Sequence, residues 1–136
     1  MVNPLIRLVD IDRIIIISSV LPSLSLNIID RYLVVCEEAN IEPIIVLNKA
    51  DMLTEQQWQD VDSQLKIYRD IGYEVLQLSA LHGQGVEQLA SLLTEKITLL
   101  AGHSGVGKST LINRLIPNAG ARTAEVSEAH GTGMHT

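Results

Sequence analysis

Residues 102–109 read Gly-His-Ser-Gly-Val-Gly-Lys-Ser, which matches G-x-x-x-x-G-K-[ST] in full. The chemistry of that spacing is anion capture. Gly102, Gly105 and Gly107 allow a tight loop, and the backbone N–H groups of His103, Ser104 and Val106 can then converge on one anion. A helix starting at Lys108 would add its positive end. Lys108 would reach the β- and γ-phosphates of a nucleoside triphosphate, and the Ser109 hydroxyl would ligate Mg²⁺. Thr110 completes the candidate cradle. Lys108 and Ser109 are the candidate catalytic groups. The bland alternative is a glycine-rich turn, but an apolar strand before the loop and an amphipathic helix after it favour the phosphate reading.

A second constellation addresses the base. Asn48-Lys49-Ala50-Asp51 follows the apolar run Pro43–Leu47, so it falls at the carboxyl end of a strand, where open α/β sheets bind ligands. A carboxylate accepts two hydrogen bonds side by side. Guanine presents such a donor pair, N1–H and the N2 amino group, whereas adenine turns an unprotonated N1 towards the same place. Asp51 can therefore select guanine. Asn48 would hold neighbouring loops together, and the Lys49 stem would lie along the base plane. Ser79-Ala80-Leu81 follows another short apolar run and supplies a third loop, in which a backbone N–H near Ala80 would meet guanine O6.

Positioning these loops requires strands that end beside one another. Arg13–Ser18, Pro43–Leu47, Glu74–Leu78 and Ile97–Ala101 read as four buried strands. Between them, Leu26, Ile29, Leu33 and Cys36 recur at helical spacing, as do Trp58, Val61, Leu65 and Tyr68. Val86, Leu89 and Leu93 mark a short third helix, and Lys108–Leu115 a fourth. Asn40 and Gly72 are the expected stops of the first two helices, and Thr54 with Gln57 has capping-box spacing. After Pro117 the periodicity dissolves, so an irregular tail is expected from about residue 117. The pattern is β-α-β-α-β-α-β-loop-α: an α/β P-loop NTPase domain spanning 1–136, an open parallel sheet with helices on both faces. The strand before the phosphate loop should neighbour the Ile14 strand, then the Ile44 strand, then the Val75 strand.

Composition agrees. Apolar residues make up 46% of the 136 residues, with no Phe and one Trp, so the core must be aliphatic. The net charge of −6 argues against this chain gripping nucleic acid by itself. The single cysteine, Cys36, reads as a buried small hydrophobe. No secretory leader is legible, and Ile14–Ile17 is far too short to cross a bilayer. A reducing cytoplasm is the simplest setting. His82 and His103 flank the nucleotide loops. A metal site from His130, His135 and Glu128, or a catalytic role for His135, has little to recommend it without cysteine ligands nearby.

The order of the loops is informative. A common GTPase runs phosphate loop, switch regions, Asn-Lys-x-Asp, then Ser-Ala. Here the phosphate loop comes last, as circular permutation would produce, with Gly83–Glu95 as the join. That order, with "NPLIR" at 3–7, "LNIIDRYLVVCEEANIEPIIVLNKADML" at 26–53, "GYEVLQLSA" at 72–80, "AGHSGVGKSTLINRLIP" at 101–117 and "VSEAHGTGMHT" at 126–136, resembles the YjeQ/RsgA family of circularly permuted GTPases. The resemblance implies GTP hydrolysis with GTP/GDP and Mg²⁺, stimulated by the small ribosomal subunit and its rRNA, in a cytoplasmic, monomeric protein with no membrane association. It implies Thr136, or the residue just after it, as a switch threonine on Mg²⁺. It also implies an RNA-binding domain before the GTPase domain, and a zinc domain and an Asp-x-x-Gly motif after the phosphate loop. Neither Asp-x-x-Gly nor any cysteine follows Ser109 here, and Met134 stands where the family has Arg. The expectation is therefore an incomplete GTPase domain, with a nucleotide-binding piece lacking turnover as the alternative.

Overall fold

The computed structural model describes residues 11–19, 26–49, 52–103, 107–119 and 122–128. Strand β1 (Arg13–Ser19) is buried over nearly its whole length. Its side chains alternate between two layers: Ile14 and Ile16 enter one apolar cluster, Ile15 and Ile17 another. Strand β2 (Glu42–Asn48) divides the same way, Ile45 and Leu47 against Ile44 and Val46, and so does β4 (Ile97–His103), Leu99 and Ala101 against Leu100. Strands apolar on both faces need cover on both. Helices α1 (Leu26–Ala39) and α2 (Glu55–Ile71) cover the first face through Ile29, Leu33, Cys36, Val61, Leu65 and Tyr68. Helices α3 (Val86–Ser91) and α4 (Lys108–Ala119) cover the second through Val86, Leu89, Leu111 and Leu115.

With β3 (Glu74–Gln77) and β5 (Arg122–Glu128), the described residues form a parallel sheet in the order β3-β2-β1-β4-β5. The expected neighbours, β4 beside β1, then β2, then β3, are in place. Right-handed crossovers explain the layering. The chain moves outward from β1 to β3 with α1 and α2 on one face. It then returns to β4 and continues to β5 in the opposite direction, which puts α3 and α4 on the other. The direction reverses between β1 and β4, and ligands of such sheets bind outside the carboxyl ends at that reversal.

The local stops act as their residue types suggest. Asn40 adopts φ 57° and ends α1, with the Ile41 N–H bonded to the Cys36 carbonyl at 2.9 Å. Thr54 and Gln57 form a reciprocal capping box at the start of α2, with bonds of 3.0 and 3.2 Å. At its end the Gly72 N–H returns to the Tyr68 and Arg69 carbonyls. Two tyrosines fasten α1. Tyr68 Oη donates to Asp30 Oδ1 at 2.7 Å, and Tyr73 Oη donates to Glu37 Oε2 at 2.9 Å. Burial, then the bond to Asp30, pushes the Tyr68 phenol upward; for Tyr73 the bond to Glu37 comes first. Cys36 is buried, and that burial, with Glu37 beside it, raises its thiol to about 11.

Two expectations need correction. The sheet has a fifth strand where an irregular tail was expected, and α4 continues through Pro117 to Ala119. Strand β5 pairs with β4 from Ile97↔Arg122 to His103↔Glu128. Its sequence, RTAEVSE, has too few apolar residues for a buried-strand pattern. The open edge of β4 supplies what periodicity does not, a row of main-chain donors and acceptors to satisfy.

Candidate functional site

Three strands deliver the motif residues to one end of the sheet. Asn48 is the last residue of β2, Ser79 and Ala80 lie just beyond β3, and Gly102 lies near the end of β4. Asn48 is 3% exposed and Ala80 1%. The Asn48 side-chain oxygen accepts the Ala80 N–H at 2.9 Å. Its amide nitrogen lies so close to Gly107 that a Cβ there would overlap it, and Gly107 itself has φ +98°. Only glycine suits that position, for both reasons. Asn48 therefore bonds the Ala80 loop and lies against Gly107, two positions far apart in sequence. Lys49, half-buried, follows with φ 66°, a left-handed conformation that lysine adopts only where its surroundings impose it.

Lys108 opens α4 and is 6% exposed, and its Nζ donates to the Gly102 carbonyl at 3.1 Å. A buried ammonium bonded to a neutral carbonyl would bind a phosphate oxygen more strongly, because charge on both partners strengthens the bond. Ser109 and Thr110 are exposed in the first turn of α4. An accessible hydroxyl one residue after the lysine fits the donor set that Mg²⁺ takes, a hard oxygen beside phosphates. Asp51, Ser104, Gly105, Val106 and Thr136 lie outside the described residues, as do His130 and His135, and nothing is described of the His103 side chain.

The Ser79–Gln84 loop is tightly folded on itself. Ser79 N–H bonds the Gln84 carbonyl at 2.9 Å, Gly83 N–H bonds the Ser79 carbonyl at 2.7 Å, and Ser79 Oγ accepts from the His82 N–H at 3.2 Å. The N–H of Ala80 is committed to Asn48. Next to it the Leu81 N–H has no partner among the described residues, on a residue 71% exposed. Sequence reasoning overlooked two features here. Ser18 and Ser19, buried at the carboxyl end of β1, stand in register with Leu47 and Asn48. Arg114, on α4, donates to the carbonyls of Ala80 and Leu81. A pair of serines closing an apolar strand was a usable signal; nothing in the spacing of α4 singled out Arg114.

No group of three or more His, Cys, Asp or Glu side chains that could hold a metal ion occurs among the described residues. No helix among them is long and apolar enough to cross a membrane.

A family model described as RsgA GTPase matches residues 4–136. The small ribosomal subunit biogenesis GTPase RsgA of Mannheimia succiniciproducens is 58% identical over 127 residues, covering 93% of this chain and 36% of that protein. The protein of the same name from Haemophilus influenzae is also 58% identical, over 93% of this chain and 37% of its own length. The chain thus spans little more than a third of these curated relatives. Among solved structures, YjeQ from Thermotoga maritima superposes with a TM-score of 0.72 at 38% identity, covering 79% of this chain and 38% of the other. YloQ, described as a circularly permuted GTPase, superposes with a TM-score of 0.73 at 33% identity, covering 85% and 44%.

Proposed function

Because this chain belongs to the RsgA GTPase family, we propose that it binds guanine nucleotide at the carboxyl edge of its sheet, and that in the whole protein this site hydrolyses GTP during small ribosomal subunit biogenesis in the cytoplasm. The observation that carries the proposal is Asn48, which touches both the base loop, through Ala80, and the phosphate loop, at Gly107. In this reading Asp51 accepts from guanine N1–H and N2, the Leu81 N–H serves O6, and the Lys49 stem lies along the base. Residues Gly102–Thr110 hold the phosphates. Lys108 leaves the Gly102 carbonyl and neutralises charge as the γ-phosphoryl group is transferred to water. Ser109 is the residue that would hold Mg²⁺, which would withdraw negative charge from the phosphates.

A second reading is favoured by one feature of the sequence, which contains no Asp-x-x-Gly after Lys108. The 136 residues alone would then bind GDP and GTP within about tenfold of each other, about 1.4 kcal/mol, with turnover near background. Calorimetric titration with GDP, GTP and ADP, with a single-turnover assay, tests both readings. Lys108→Ala should abolish measurable triphosphate binding and leave the circular dichroism spectrum unchanged. Retained affinity in that variant would remove the phosphate-loop assignment.

A further inference from the structure

We propose that Arg114 is a positioning residue that locks the base-recognition loop to the phosphate-binding helix, so that preference for guanine depends on a side chain that need not touch the nucleotide. The proposal rests on the guanine-nucleotide reading above and concerns how the selectivity of that site is held.

The geometry is that of a two-pronged clamp. Arg114 Nε donates to the Ala80 carbonyl at 2.6 Å, and Nη2 donates to the Leu81 carbonyl at 2.6 Å. A guanidinium presents donors in a rigid planar fork, which suits two successive carbonyls, and its charge strengthens both bonds. Ala80 is thus held from two sides. Its N–H goes to Asn48 on β2 and its carbonyl to Arg114 on α4. The loop also passes directly against the guanidinium. At Gly83, where φ is +85°, a Cβ would lie 2.7 Å from Arg114 Nη1, so a residue without a side chain is needed for the fork to lie flat on the loop.

Arg114 stands six residues beyond Lys108 on the same helix. The ammonium proposed to meet the phosphates and the fork that aims the base loop are therefore carried on one rigid element. The two binding arms still separate. In the guanine-nucleotide reading the phosphates are met by Gly102–Thr110, whereas the base is met from the Ser79–Gln84 loop, which needs the Leu81 N–H at a fixed position. Both printed bonds of the fork go to the base loop, so releasing it should loosen the base arm more than the phosphate arm. A residue that served only general stability would weaken both arms together.

The test uses the 136-residue chain as wild type, Arg114→Ala and Arg114→Lys, titrated with GDP, ADP and pyrophosphate, with circular dichroism as the check on folding. Arg114 is exposed on the surface of α4, so the fold should survive. The expected result for Arg114→Ala is GDP affinity reduced about 10- to 100-fold, the range for losing hydrogen bonds to a charged group, with ADP and pyrophosphate within about twofold. Arg114→Lys, which keeps the charge but not the fork, should recover only part of the loss. Should Arg114→Ala fail to fold, Arg114→Lys carries the comparison; if neither folds, Arg114 is a determinant of the fold and the proposal is overturned. Unchanged GDP affinity in Arg114→Ala, or an equal fall for GDP and pyrophosphate, overturns it too. A wild type that prefers GDP no more than ADP sinks the guanine reading first, and the clamp with it.

Discussion

Replacing Asn48 with alanine separates a structural role from a ligand role. The Asn48 oxygen accepts the Ala80 N–H at 2.9 Å, and both residues are at most 3% exposed. Alanine removes the acceptor and leaves that N–H buried and unpaired, which costs about 1–3 kcal/mol. Arg114 still holds the Ala80 carbonyl, so the loop stays attached and the protein should fold. For 136 residues the entropy of unfolding converts each kcal/mol into about 3.5 °C of melting temperature. Asn48→Ala should therefore melt about 3–10 °C below wild type with no nucleotide present. Asn48→Asp keeps an acceptor but introduces a carboxylate at a buried position against Gly107, and should destabilise at least as much. The assay is thermal unfolding followed by circular dichroism, without and then with saturating GDP. An Asn48→Ala protein that melts within about 1 °C of wild type in the absence of nucleotide would refute the argument, since a residue acting only on bound base would leave the free protein unmoved.

Asp51→Asn should lower GDP affinity by about 1.5–3 kcal/mol, the scale of a charge-assisted hydrogen bond, and raise affinity for xanthine nucleotides, whose C2 oxygen can accept from the new amide. Undiminished GDP binding in isothermal titration would remove Asp51 from the base site. The Cys36 thiol is raised from its ordinary 9.0 to about 11 by burial and by Glu37. The folded protein therefore holds this proton more tightly than the unfolded chain does. The corresponding stability is fully present below pH 9 and is lost as the pH rises through 11. Cys36→Ala should melt lower than wild type at pH 8, and the gap should narrow between pH 9 and 11; a gap that stays constant over that range would contradict the assignment.

The repeating units of this fold are local, and they were legible as such. In the stripes Leu26-Ile29-Leu33-Cys36 and Trp58-Val61-Leu65-Tyr68, Leu26 and Trp58 are partly buried and the other positions form the buried faces of α1 and α2, because 3.6-residue spacing puts them on one side of any helix. Asn40, Thr54 and Gly72 ended or began helices where their backbone preferences suit. Even the strand order followed from short connections and a single handedness of crossover. The motifs were legible for a related reason: each is a contiguous stretch at the end of a strand, and a parallel sheet brings such ends together. Strand β5 was not legible, because RTAEVSE becomes a strand through the edge it meets rather than through its own pattern. Nor was it legible that the Ala80 N–H is spent on Asn48, 32 residues away, or that Arg114, 34 residues from Ala80, grips the other side of the same residue. An arginine between Leu111 and Leu115 has the same helical propensity whether it faces water or a loop. Which carbonyls it reaches depends on how α3 and α4 pack side by side over Leu76, Leu78 and Leu100, and that packing is a property of the assembled core.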